Sequence, residues 1–253
     1  MMLTAPVNLR DLGGIPVAGG RVREGFAIRA DDLSTVPESY ATGLVAQGVR
    51  SVIDLRSAEE LTATGRGPLG TQTAVSYHHV PLLASLGHDA EAAAPAGGDP
   101  FDQRSYGQMY VSMFERAAPQ IVTALAVVAH APGATAFHCA AGQDRTGVLA
   151  AALLLVLGAD RQQVVADYLR TAPNAPAIRA RLTPTLAPLM LRRGIDLNAA
   201  ARAATRTEFS AAPMLELLET LGARYSDPLE PLRAGGLTDS LVTALRERAV
   251  AGE

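Results

Sequence analysis

The sequence predicts an α/β protein in which a central sheet is flanked by helices and covered at its C-terminal end by further helices. Three observations predict it. Short apolar runs of strand length recur between residues 26 and 139, stretches at helical spacing separate them, and the last run passes through a small-residue loop into a strongly apolar helix. At 253 residues the chain suits one domain spanning 1–253, long enough to bury a substantial core. Its 48% hydrophobic and 19% charged content lies well away from the signature of disorder.

The opening, Asn8-Leu-Arg-Asp-Leu-Gly-Gly14, is polar and ends in a glycine pair, with Gly19 and Gly20 soon after, so it reads as an ordered loop or short hairpin. Phe26-Ala-Ile-Arg29 is a strand candidate. An amphipathic stretch at 38–47 feeds the buried strand Val52-Ile-Asp-Leu55, and 73–82 alternates around Val75, Tyr77 and Val80 as a further strand. Residues 83–103, rich in Ala, Gly and Pro, read as a loop. Met109, Met113, Ala117, Ile121 and Leu125 then recur every four residues. Pro119 suits the first turn of a helix and not an interior, which predicts two abutting helices. Ala134-Thr-Ala-Phe-His-Cys139 is a strand, 146–157 a helix, and the remainder is mostly helical with breaks at Pro173, Pro176, Pro184, Pro213 and Pro228.

A net charge of −3 supplies no basic footprint for nucleic acid or an anionic membrane surface. The sequence contains no lysine, so all 22 basic residues are arginine. A single cysteine rules out an intrachain disulfide, no apolar stretch in 1–14 resembles a signal peptide, and a reducing cytoplasm is the expected location. The longest apolar run, 147–159, falls short of the ~20 residues of a membrane span.

Function concentrates in His138-Cys-Ala-Ala-Gly-Gln-Asp-Arg-Thr-Gly147, where Cys139 and Arg145 stand six positions apart between strand and helix. A phosphate dianion needs donors converging on its oxygens, and the backbone N–H groups of a tight loop at a helix N-terminus supply them. Ala140, Ala141, Gly142, Gln143, Asp144 and Arg145 are the expected phosphate cradle. The same positive field is expected to favour the thiolate form of Cys139 as nucleophile. Arg145 brings a planar fork that a lysine cannot reproduce. His138 is expected to orient the loop and Thr146 to donate its hydroxyl to the thiolate or assist release of phosphate. A lone cysteine at a strand end is most often buried and inert. Six matched positions, however, arise by chance in only roughly a few chains per million.

With these residues in view, the chain resembles the Cys-x5-Arg cysteine phosphatases, and within them the atypical bacterial tyrosine and lipid phosphatases of the mycobacterial kind. Residues 8–14 resemble that family's Asn-Phe-Arg-Asp-Leu-Gly-Gly element, Ile53-Asp-Leu-Arg-Ser57 its Asp-Leu-Arg strand end, and 143–168 its loop and following helix through Asp-Tyr-Leu. The resemblance implies a tyrosine-phosphatase-like fold, no cofactor, a phosphorylated substrate such as a phosphotyrosine protein or small phosphomonoester, and a lid formed by about 172–222. One departure stands out: the family has lysine where this chain has Gln143, and losing that charge argues for a single phosphomonoester over a phosphoinositide headgroup.

The leaving oxygen needs a proton, which a nearby carboxyl supplies. Asp144 is the first choice, a role the resemblance also implies for its position, with helix capping as its structural alternative. Asp99 and Asp102, in the loop upstream, are the other candidates. Asp54 and Arg56 at a strand end can point into the same pocket or form a structural ion pair. His78 and His79 lack partners at ligand spacing, so no metal is expected. The resemblance implies protein-tyrosine or dual-specificity phosphatase chemistry. A dedicated small-metabolite phosphatase and an inactive phosphate-binding module are the alternatives, and the Arg-Thr-Gly continuation fits phosphate better than a sulfur transferase.

Overall fold

The computed structural model of the chain describes residues 3–83, 103–192 and 209–251. Of the loop expected over 83–103, residues 84–102, with Asp99 and Asp102, lie outside the described residues. The elements in order are β1 (Arg10–Asp11), β2 (Pro16–Val17), β3 (Gly20–Val22), β4 (Ala27–Ala30), α1 (Glu38–Ala46), β5 (Val49–Asp54), α2 (Ala58–Thr64) and β6 (Ser76–His79). There follow α3 (Gly107–Arg116), α4 (Ala118–His130), β7 (Ala134–His138), α5 (Asp144–Leu157), α6 (Arg161–Leu169) and α7 (Ala175–Arg192). The chain closes with α8 (Ala212–Arg224), α9 (Glu230–Ala234), α10 (Asp239–Ala249) and β8 (Val250–Ala251).

The main sheet has the order β1-β4-β7-β5-β6, parallel from β4 to β6, with β1 antiparallel at its edge. Side chains alternate across it as the two-residue period of a strand demands. Ala27, Ile53 and Phe137 enter the large core under the helices, while Ile28, Val52 and Ala136 enter a smaller core that also holds Ala41 and Leu44 of α1. Register decides where the site lies. Ala30 of β4 and Asp54 of β5 both pair with His138 of β7, so three parallel strands end in one row and the chain leaving each converges there. Crevices at the carboxyl ends of parallel strands are where α/β folds bind ligands.

The expected pair of helices is present as α3 and α4, bent by 72° at Ala117, with Pro119 in the first turn of α4. The hairpin β2–β3 is also present, but its third partner, β8, went unforeseen: two residues at the end of α10 pair with β3 and bring the C-terminal region back to the N-terminal one. Pro184 is not a break. Helix α7 runs on through Pro184 and Pro188, at the cost of an intrahelical hydrogen bond at each proline. Within the stretch expected as a lid, α8 buries Met214, Leu217, Leu218 and Leu221 in the main core, and 193–208 lie outside the described residues. Arg181 pins α7 through hydrogen bonds to Asp31, Thr35 and the Thr4 and Asp32 carbonyls. Among the described residues no single helix is long and apolar enough to cross a membrane.

Candidate active site

Strand β7 delivers Cys139 to the end of the sheet, and the chain turns through Ala140 to Gln143 before α5 starts at Asp144. Cys139 is buried, and the Gly142 amide donates to its Sγ at 3.3 Å. Gly142 has φ +66, and a Cβ there would lie 2.5 Å from the Ala30 carbonyl oxygen, so the turn needs glycine for both backbone shape and space.

The back of this loop is held by side chains from distant elements. The Ala141 and Gly142 carbonyls accept from Asn8 Nδ2 at 3.4 and 3.1 Å, and the Gly142 carbonyl also accepts from Arg29 Nη2 at 2.9 Å. In a trans peptide plane the carbonyl and the following amide point opposite ways. Holding Ala141 O outward therefore turns the Gly142 N–H inward, toward Sγ. Arg29 and Arg10 are in turn held by one carboxylate: Asp167 Oδ2 accepts from Arg29 Nη1, and Oδ1 accepts from Arg10 Nε at 2.9 Å. Burial pushes the Asp167 carboxyl up, but the adjoining Arg29 and Arg10 guanidinium groups overcome it and hold the group below the usual carboxylate range.

Arg145, the first full turn of α5, is gripped by a residue of α2. Glu60 Oε2 accepts from Nη1 at 2.5 Å and Oε1 from Nη2 at 2.9 Å. This end-on pairing leaves the Nε edge of the guanidinium for another anion. The same carboxylate caps its own helix: Glu60 Oε2 accepts from the Ser57 amide at 2.8 Å while Ser57 Oγ accepts from the Glu60 amide at 3.3 Å. Asp144 Oδ1 accepts from the Tyr110 hydroxyl at 2.6 Å and from Gln143 Nε2 at 3.2 Å. Burial pushes its carboxyl up against the opposing pull of Tyr110, Arg145 and Gln143. Thiol, guanidinium and carboxyl thus share one loop at a helix N-terminus.

The tyrosine phosphatase family profile matches residues 1–251. The chain belongs to the tyrosine phosphatase family. It is similar to the triple specificity protein phosphatase PtpB of Mycobacterium tuberculosis, at 28% identity over 94% of this chain and 95% of that one. A putative tyrosine-protein phosphatase of Cupriavidus necator is 32% identical over 78% of this chain and 75% of its own length. A tyrosine-protein phosphatase of Nostoc commune is 30% identical over 56% of this chain and 46% of its own.

The remaining predicted residues of this phosphatase differ in what they touch. His138 is buried; its Nδ1 lies 3.3 Å from the Leu33 amide and 3.2 Å from the Cys139 carbonyl, and burial lowers its pKa below the ordinary histidine value. It ties the chain after β4 to the end of β7. The Thr146 hydroxyl is buried and makes no hydrogen bond, so the expected donation to the Cys139 thiolate is not formed here. Between the two readings of Asp54 and Arg56, the side chains make the ion pair. Arg56 Nη2 to Asp54 Oδ2 is 2.6 Å, and its other donors go to Asp54 Oδ1, Ser34, Thr64 and the Gly65 carbonyl. Every N–H of Arg56 is then occupied. Arg56 nonetheless borders a small cleft beside the loop, together with Asp32, Glu60, Ala140, and Leu182 and Thr185 of α7. His79 Nε2 lies 2.8 Å from the Arg56 carbonyl.

Sequence reasoning missed Glu60, Tyr110 and the Arg10–Arg29–Asp167 cluster. Glu60 left one signal, the capping-box spacing Ser57-x-x-Glu60. Asp167→Ala strands two buried guanidinium groups and is expected to cost about 3 to 5 kcal/mol of stability, read from the urea midpoint. Because the native carboxyl sits below its unfolded value of about 3.9, this contribution is complete above that pH and is lost as pH falls through the native value. A destabilisation under 1 kcal/mol would show that the cluster is not held by this charge.

Proposed function

We propose that this phosphatase hydrolyses phosphomonoesters in two steps through a phosphocysteine at Cys139. The thiolate attacks phosphorus, the P–O bond to the leaving group breaks, and Asp144 gives its proton to the departing oxygen. Water then attacks the phosphocysteine and its proton passes to the Asp144 carboxylate. The S–P bond breaks, and inorganic phosphate leaves with the thiolate restored. Arg145 and the loop amides hold the phosphoryl oxygens throughout. The observation that carries this reading is the pairing of a loop amide turned onto Cys139 Sγ with an Arg145 fork preset by Glu60.

The substrate class we propose is phosphotyrosine or other phosphorylated protein. The names of the similar proteins, tyrosine-protein and triple specificity phosphatases, support it. A small-metabolite phosphatase is the competing reading, because the same loop serves both. The neutral Gln143, bonded to Asp144 instead of offering a charge at the rim, favours a single phosphate over a phosphoinositide headgroup. A nucleophilic cysteine that must stay reduced also suits the cytoplasm. Comparing kcat/KM on phosphopeptides, phosphoinositides and sugar or nucleoside phosphates decides among these.

The acid is tested by leaving-group dependence. Asp144→Asn is expected to slow phenyl phosphate by on the order of 10² or more while slowing p-nitrophenyl phosphate far less, since a good leaving group departs without a proton. A carboxyl that merely capped α5 would affect both substrates alike and cost about 0.5 to 2 kcal/mol of stability. Equal slowing of the two substrates moves the search to Asp102, Asp99 and Asp54.

A further inference from the structure

Two helices outside the loop reach Asp144 through a chain of hydroxyls. Tyr110 of α3 donates to Asp144 Oδ1 at 2.6 Å, and the Tyr168 hydroxyl of α6 lies 2.8 Å from that of Tyr110. A phenol has one proton to give. With the Tyr110 proton on the carboxylate, the bond between the two hydroxyls runs from Tyr168 to Tyr110. Both rings are buried, meet edge to face at 6.1 Å, and are backed by Phe209 against Tyr168 at 5.0 Å. Burial, followed by the Asp144 charge, pushes the Tyr110 phenol well above its ordinary range, so it remains a donor at every working pH.

We infer that Tyr110, oriented by Tyr168, is a positioning residue for Asp144: by occupying Oδ1 together with Gln143 it leaves Oδ2 as the oxygen that carries the transferred proton, and it stabilises the carboxylate once that proton has gone. Two donors fill the two lone-pair sites of Oδ1, which is what selects the other oxygen. The arrangement also gives Tyr168 a task in the Asp167-Tyr168-Leu169 segment. Asp167 holds the arginines behind the loop while Tyr168, the next residue, meets the Tyr110 hydroxyl that contacts Asp144.

The contact stands on geometry alone; its catalytic consequence rests on the reading of Asp144 as the acid, and the test separates the two. The groups that face the Asp144 carboxyl among the described residues are Tyr110 from α3, with Tyr168 from α6 behind it, Arg145 from its own helix, Gln143 from the loop and the backbone amide of Asp144 itself. Tyr110 and Arg145 both favour the ionised carboxyl. Removing the Tyr110 hydroxyl should therefore let the carboxyl protonate at higher pH.

The experiment titrates the 13C-labelled aspartate carboxyls by NMR in the whole protein, with Asp144→Asn identifying the Asp144 signal. In Tyr110→Phe, which keeps the ring, the Asp144 midpoint is expected to rise by about one pH unit, the equivalent of the weaker charge-assisted hydrogen bonds. Tyr168→Phe should raise it by less, since it removes only the outer hydroxyl. The basic limb of the kcat/KM profile for phenyl phosphate should move up with the midpoint in each variant, an effect that a packing role for the rings does not produce. An unchanged or lowered midpoint in folded Tyr110→Phe overturns the inference. Should that variant fail to fold, Tyr168→Phe decides, a rise supporting the inference and an unmoved midpoint overturning it. A midpoint that rises while the basic limb stays in place upholds the Tyr110 contact and removes Asp144 as the acid.

Discussion

Cys139→Ser is expected to abolish turnover of p-nitrophenyl phosphate while leaving the affinity for inorganic phosphate within an order of magnitude of wild type. The substitution exchanges Sγ for a smaller oxygen in a residue that is already buried, and apart from the Gly142 amide bond to Sγ it leaves untouched the contacts that shape the loop. Those contacts come from behind. Asn8 and Arg29 hold the Ala141 and Gly142 carbonyls, and Asp167 holds Arg29, all without reference to the sulfur. The cradle and the Arg145 fork therefore survive. What disappears is the nucleophile, because a serine hydroxyl is protonated at neutral pH and, among the described residues, the hydrogen bond to Cys139 Sγ comes from the Gly142 amide and not from a base. Steady-state assays and calorimetric titration with phosphate read the two halves separately. Full activity in the serine variant would sink the phosphocysteine mechanism, and loss of phosphate affinity would show that Sγ organises the loop.

The parts of the molecule legible in the sequence are those whose reasons are local. Strand β7, helix α5 and the loop between them follow from an apolar run, a second apolar run and small residues in between. The α3–α4 break follows from Pro119 within a four-residue repeat. The roles proposed for Cys139, Asp144 and Arg145 rest on the same kind of local signal, since one short segment carries all three. The supporting residues were not readable, because their partners are far away in the chain. Glu60 meets Arg145 across 85 positions, Arg10 meets Asp167 across 157, and Asn8 meets Gly142 across 134. Tyr110 sits beside Met109 in a stripe that announces only a buried helix face; nothing in that stripe says that its hydroxyl ends on a carboxylate 34 positions on. Asp54 and Arg56 show the intermediate case. Their place at a strand end allowed them either to point into the pocket or to form a structural ion pair, and Ser34, Thr64 and Gly65 absorb the remaining donors of Arg56.

Arg145→Ala is expected to lower kcat/KM by on the order of 10² to 10⁴, the loss of two charge-assisted hydrogen bonds at about 1.5 to 3 kcal/mol each. Arg145→Lys should recover little. Glu60 takes one N–H from each terminal nitrogen of the guanidinium, which leaves a second edge for phosphate; a single ammonium offers no comparable pair of faces and must divide its donors between Glu60 and the substrate. The alanine variant carries a second effect that must be separated from the first. It leaves the Glu60 carboxylate buried without its cation, which is expected to destabilise the fold by about 3 to 5 kcal/mol. Glu60→Gln in the Arg145→Ala background removes that charge while keeping an oxygen to accept from the Ser57 amide. It should therefore restore part of the melting temperature and none of the turnover. Recovery of both together would mean that Arg145 acts only by neutralising Glu60, and near wild-type activity of Arg145→Lys would mean that fork geometry is irrelevant. Either result would end the assignment of Arg145 as the phosphate clamp.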